Sequence, residues 1–549
     1  MNGAEAAPEA DSRPARTTGA GTRTAIVWIA FGAAALLAFV LLLHVGRGLT
    51  WFFDEWDWVQ GRRTGSLDDL LRNHNGHLIA VPILLYKFSW SAFGLGNYTA
   101  MRVLTIAFHI ATCAVLLVWL RRRVRDELAL GAVVVLLFLG YAWQDLLWPS
   151  QIQYLGSMLG GIAAFVFLDR RDRTGDVLAA IALTFSIACS GIGLPFLGAV
   201  GLALVLRRST WRRLWVVLVP LALYGVWYVQ YGESQAKRDN LHLVAGYVEK
   251  AGAAGAGALV GTGMSTGHAV IALILVTVVV TVAVRRRISP ELASVLALPL
   301  LFWGLTALSR AQQAEPGASR YLYPGAVMLV MILGQLVDDP EWPRTVRTRL
   351  VAIGVTGVVV VVSLVGNVDQ LRQGGTNLRE ISTYVKAELA AVELAGNRVD
   401  PAFRPDLSRA PQISAGTYLR AVHDLGSPAD RLATLRTQPE EVRAAADRVL
   451  LDALGVQAHP ATATGECTTV PADGGHASQD VRADSMTLVI AAGADPVDVS
   501  VRNLAATFAA PPFVTVAPGT TRSLELPEVA SGPWSVHLAG SSEFTICGT

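Results

Sequence analysis

A run of carboxylates among aromatic rings carries the clearest chemistry in the chain. It reads Trp51-Phe52-Phe53-Asp54-Glu55-Trp56-Asp57-Trp58, three acids among five aromatics, directly after a long apolar stretch. Rings alone would form an ordinary interfacial belt at a membrane surface, but acids gain nothing beside anionic headgroups. The acids therefore need another reason to stand there. The alternative is a set of solvated loop charges. Asp54, Glu55 and Asp57 are also the set that a divalent metal would use. The stretch continues as Asn73-His74-Asn75-Gly76-His77. His74 and His77 are either polar residues of a site or ordinary loop histidines, and a zinc centre would need more converging ligands.

Two further segments add polar groups. Trp143-Gln144-Asp145-Leu146-Leu147-Trp148-Pro149-Ser150-Gln151-Ile152-Gln153 mixes amides and rings. Trp148, Gln151 and Gln153 suit the hydroxyls and ring faces of a sugar, and equally suit interfacial anchoring. Arg320-Tyr321 begins an apolar run, with Arg320 against the charge trend of its side of the membrane. Its planar guanidinium matches a lipid phosphate, unless it only snorkels to headgroups. Cys467 and Cys547 bracket the C-terminal region, as a disulfide that needs an oxidising compartment or as two free thiols.

The elements that must position these residues are mostly apolar. Of 549 residues, 52% are hydrophobic and 16% charged, against roughly 25% charged in soluble domains. The net charge of +2 comes with no basic face for nucleic acid. At about 20 residues per span, roughly eleven transmembrane helices are expected, near 24–46, 99–120, 128–146, 152–168, 175–190, 193–206, 213–231, 265–284, 291–308, 321–337 and 350–367. Arginine clusters precede the first or follow even-numbered spans: Arg13, Arg16 and Arg23; Arg121, Arg122, Arg123 and Arg125; Arg170, Arg171 and Arg173; Arg207, Arg208, Arg212 and Arg213; Arg285 to Arg287; Arg344, Arg347 and Arg349. The positive-inside rule then sets the N-terminus in the cytoplasm and the C-terminus outside a plasma membrane. The expected division is a disordered cytoplasmic segment 1–23, a transmembrane core 24–367 with its first outer loop 47–98, an extracytoplasmic helical region 368–460, and a small β-sandwich 461–549. Short alternating runs such as Met486–Ile490 and Trp534–Leu538, broken by Gly, Pro and Asp, signal the sandwich. No Asp, Glu or Lys falls in the middle of a span. Ion-coupled transporters usually carry such residues at depth.

An acidic pair directly after the first span, in the first outer loop, resembles the GT-C superfamily of integral-membrane glycosyltransferases. That superfamily includes protein O-mannosyltransferases, aminoarabinose lipid A transferases and actinobacterial mannosyl- and arabinosyltransferases. Asp54-Glu55 sits where the family places its Asp/Glu motif, and the multi-span core with an extracytoplasmic C-terminal region also matches. The resemblance covers 377–549 poorly. It implies a GT-C-like catalytic core and a polyprenyl-phosphate sugar as donor, with the actinobacterial branch suggested by Arg, Ala and Val usage. It further implies an inverting displacement onto a glycan, lipid or protein acceptor of the cell envelope, in cell-wall assembly, with hexosyl or pentosyl transfer. Asp54 takes the base role by that carry-over. Glu55 or Asp57 then orients sugar or acceptor, or holds a metal, while His74, His77, Trp148, Gln151, Gln153 and Tyr321 line the substrates. Arg320 neutralises the departing lipid phosphate. Membrane lipids surround the protein and no resident cofactor is assigned. The competing readings are a transporter or flippase of lipid-linked glycan intermediates and a non-catalytic envelope assembly protein.

Overall fold

A computed structural model describes residues 18–337 and 346–548 of the chain. The expected disordered segment 1–23 lies outside these residues up to position 17, as do Arg13, Arg16 and Arg344 of the arginine clusters. The chain forms two compact units. One takes the N-terminal stretch to His44, Ile106–Leu146 and Tyr154–Arg372; the other takes Val45–Thr105, Leu147–Gln153 and Gln373–Thr549.

The first unit is helical because backbone amides in hydrocarbon must bond within their own segment. Among the described residues, eight helices are long and apolar enough to cross a membrane: Arg23–Val45, Tyr98–Arg121, Asp126–Leu147, Pro149–Leu168, Thr210–Tyr231, Met264–Arg285, Pro290–Arg310 and Ile353–Arg398. The other three expected spans are helices as well, Arg173–Cys189, Gly193–Leu206 and Ser319–Leu336, but they are not among the eight. The first two have only 17 and 14 residues. The segment 232–264, between the expected spans 213–231 and 265–284, contains a further helix, Val244–Val260. Its Gly and Ala residues hide it from a hydropathy count, and Glu249 and Lys250 interrupt it. Those small residues allow close approach: a Cβ on Gly257 or Gly267 would collide with the neighbouring backbone of the Val244–Arg285 hairpin. Asn367, fully buried, ties three segments of this unit. Its amide donates to Ala258 and Ser363 carbonyls at 2.9 and 3.0 Å, and its oxygen accepts the Tyr141 N–H at 3.1 Å.

The last span does not stop at 367. Val346–Ala395 is one helix of 50 residues, so the expected boundary at 368 falls inside it. In the second unit its C-terminal part is followed by the helices Ala415–Leu425 and Glu440–Ala453. Among the described residues, nine strands then follow: β1 (Ala458–Pro460), β2 (Cys467–Val470), β3 (Ala477–Ala483), β4 (Met486–Ala492), β5 (Val497–Arg502), β6 (Val514–Val516), β7 (Thr521–Leu526), β8 (Trp534–Gly540) and β9 (Phe544–Gly548). They form two antiparallel sheets, in the orders β1-β7-β4-β9-β2 and β3-β8-β5-β6. β4 and β5 alternate buried and less buried residues, as a half-buried strand must. Cys467 and Cys547 stand opposite each other on β2 and β9 and are joined by a disulfide. The sheet begins slightly before 461, with β1. Asp447 couples the Glu440–Ala453 helix to the sandwich by accepting the N–H groups of Asn503, Leu504 and Ala505 at 3.1, 2.8 and 3.0 Å.

Candidate active site

The acidic run forms a short helix, Asp54–Gly61. Its entry is strained, for Phe53 has φ 46°, a region that costs a bulky residue about 1–3 kcal/mol. The surrounding tryptophans hold it there. Trp51, Trp56 and Trp58 are almost fully buried, so they are core, and not a belt facing headgroups. The Trp51 indole donates to the Leu95 carbonyl at 2.8 Å and the Trp56 indole to the Trp51 carbonyl at 3.0 Å. From the helix end, the buried Arg62 guanidinium donates to the carbonyls of Asp69, Arg72 and Asn73 at 3.0, 2.8 and 2.9 Å. Arg62 thereby delivers the chain to His74.

The three acids have different surroundings. Glu55 is fully buried. Tyr86 donates to one oxygen at 2.5 Å, while Tyr98 and the Phe52 N–H donate to the other at 2.9 and 2.8 Å. Burial raises its pKa to about 8, against the pull of these donors. The Trp148 indole is close enough to act on this carboxyl, although its N–H meets no acceptor in hydrogen-bond geometry. Glu55 therefore offers no free face to a substrate. Asp54, by contrast, keeps about a quarter of its side chain open, 28%. The His74 Nε2 lies 3.5 Å from its Oδ2. The Trp58 indole N–H donates to His74 Nδ1 at 3.4 Å. An indole only donates, so Nδ1 accepts, while Nε2 lies between the Asp54 carboxylate at 3.5 Å and the Asn75 side-chain amide at 3.2 Å. Asp57 reaches solvent. Surrounding protein still pushes its carboxyl upward, with Asp54 adding to the shift and His74 and Arg62 opposing it.

His74 and His77 close a two-residue turn. They exchange backbone hydrogen bonds at 3.0 and 2.9 Å, with Asn75 and Gly76 between them at φ 52° and 82°. Asn-Gly is the pair that such a turn favours, and Asn73 caps it through the Gly76 N–H at 2.8 Å. The ring of His74 packs edge-on to Trp58. Asp54, Glu55, Asp57, His74 and His77 thus belong to one local fold with Tyr86 and Tyr98. Trp148 joins them through its ring, 5.3 Å from that of Phe52. Gln151 and Gln153 are buried in the same unit, and the Gln151 side-chain oxygen has no hydrogen-bond partner.

Arg320 and Tyr321 lie in the other unit. The Arg320 guanidinium sits over the Tyr321 ring at 5.2 Å, and its charge acts on Asp145. Asp145 is fully buried, and neither of its oxygens has a hydrogen-bond partner among the described residues. Sequence reasoning passed over this residue, although an acid beside an apolar run is itself a signal. It also passed over Tyr86, Tyr98 and Arg62, which carry no pattern that links them to Glu55. Among the described residues, no group of three or more His, Cys, Asp or Glu side chains is placed to hold a metal ion.

No protein-family model matches the chain, and no curated protein matches it. Among solved structures that match is the crystal structure of ArnT from Cupriavidus metallidurans in the apo state, 15% identical, with a TM-score of 0.45, over 73% of this chain and 85% of that one.

Proposed function

We propose that the protein is a membrane glycosyltransferase of the GT-C type, moving a sugar from a polyprenyl-phosphate donor to an acceptor of the cell envelope. The observation that carries this reading is the division of labour within the acidic run. Glu55 is sealed behind the buried side chains of Tyr86, Tyr98 and Trp148 and fixes the helix, while Asp54 is open and stands beside His74, whose ring meets the Trp58 indole. A base needs an accessible oxygen held in one place more than it needs burial.

In the proposed reaction, Asp54 takes the proton of the acceptor hydroxyl as that oxygen attacks the anomeric carbon. The bond from that carbon to the lipid phosphate breaks with inversion, and the phosphate leaves as an anion with no need of an acid. Asp57 lies one turn on and meets the polar part of sugar or acceptor, together with His77, Gln151 and Gln153. Arg320, over the Tyr321 ring in the helical unit, is the candidate cation for a lipid phosphate. The arginine clusters at alternate span ends support a cytoplasmic N-terminus and an outward-facing acidic run.

The test is transfer of radiolabelled sugar from a panel of polyprenyl-phosphate sugars to membrane-extracted acceptors, using the purified full chain. Asp54→Asn is expected to lower the rate about 100- to 10,000-fold with unchanged melting and donor binding. Asp57→Asn should lower it far less. Full activity in Asp54→Asn would reject Asp54 as the base.

A further inference from the structure

A polar cavity, sharing no residue with the acidic run, lies within the helical unit. It collects the ends of five helices: Trp119 near the end of Tyr98–Arg121, Leu168 closing Ile152–Leu168, Leu204 near the end of Gly193–Leu206, Glu291 at the start of Pro290–Arg310, and Gln335 near the end of Ser319–Leu336. Its volume is about 80 Å³, enough for a phosphate group and far too small for acyl chains.

The wall of this cavity is over-supplied with cations. Arg123 pairs with Asp169 at 3.1 Å, Arg207 pairs with Glu291, and Arg213 pairs with Asp176 at 2.5 Å. Arg122 shares Asp169 at 3.3 Å. Arg171 also lines the cavity, and among the described residues it has no acidic partner. Its backbone is left-handed, with φ 58°, which a branched or bulky residue adopts only at a cost. A second observation points the same way. Trp119 is 1% exposed and lines the cavity, and among the described residues its indole N–H has no acceptor. The cavity therefore holds a spare cation and a spare buried donor, both of which an anionic oxygen would satisfy.

Apolar side chains complete the wall, Phe165, Val200 and Val295 among them, on helices whose neighbours expose Leu and Val in quantity. A free anion would gain nothing from them. We infer that this cavity binds the phosphodiester headgroup of an anionic membrane phospholipid, with the acyl chains lying along the outside of the helices.

Native mass spectrometry of the purified full chain in an uncharged detergent tests this, with phosphatidylglycerol, phosphatidylcholine and inorganic phosphate as probes. Phosphatidylglycerol should be retained well above phosphatidylcholine. Its half-saturation should rise about fivefold in Arg171→Gln, as loss of one interfacial cation predicts, at unchanged melting temperature. Arg286→Gln serves as control, since Arg286 is exposed and left-handed like Arg171 but does not line the cavity. Equal losses in the two variants would show general attraction to basic surface and overturn the site. Displacement of the lipid by an equal concentration of inorganic phosphate would overturn the lipid assignment.

Discussion

Glu55 and Asp145 are both fully buried, one in the loop after the first apolar helix and one near the end of an apolar helix. Around Glu55, two phenols and a backbone N–H converge on the carboxyl at 2.5 to 2.9 Å. Around Asp145 no donor from another described residue converges, and the Arg320 charge acts on it from nearby. Burying a polar group is costly unless hydrogen bonds replace its water. At Glu55 the structure supplies that replacement, so the acid serves as a joint between the Trp51–Trp58 segment and the Ala80–Phe93 helix. At Asp145 the cost is left standing, which marks the residue as one kept for something other than stability. The two acids thus separate what holds the fold from what the fold tolerates.

The sharpest way to break that comparison is to remove the joint. Glu55→Ala leaves two phenols and the Phe52 N–H facing a cavity, and should lower stability by about 3 kcal/mol. Glu55→Gln keeps one acceptor oxygen and the shape, and should cost about 1 kcal/mol. Unfolding in detergent, followed by tryptophan fluorescence, reads both. Equal effects would mean that the volume of Glu55 matters and its hydrogen bonds do not.

The next effect is one of pH. Glu55 has its folded pKa raised from 4.5 to about 8. Between those values the folded state binds the proton that the unfolded state has released. Stability from this group is therefore fully present below about pH 4.5 and declines as pH rises through about 8. The difference in melting temperature between wild type and Glu55→Gln should change across that window in this direction. A flat difference would show that Glu55 titrates alike in both states.

Much of the architecture was legible beforehand because its causes are local. Long apolar runs gave helices at all eleven expected places, and period-two runs gave β4, β5 and β8 within a residue or two. The Cys467–Cys547 bridge followed from two thiols bracketing one region. The Val244–Val260 helix escaped because Ala and Gly, chosen for close packing, carry little hydropathy. In the acidic run, the residues were found but not their division. Asp54 and Glu55 are adjacent in sequence and equal in type. Only the partners Tyr86, Tyr98 and His74, between 20 and 43 residues on, make one acid sealed and the other open.

Asp145 offers the smallest and most discriminating test. Asp145→Asn removes a charge that no donor compensates, which should help, and loses the attraction of Arg320, which should hurt. Arg320 is held by a further interaction and is not stranded by the change. The two terms oppose each other, so stability should shift by less than about 1 kcal/mol. Glu55→Gln, a change of the same kind in a donor-rich site, then becomes the proper reference. A loss at Asp145 as large as that of Glu55→Ala would mean that its carboxyl is anchored after all, and the contrast between the two acids would fall.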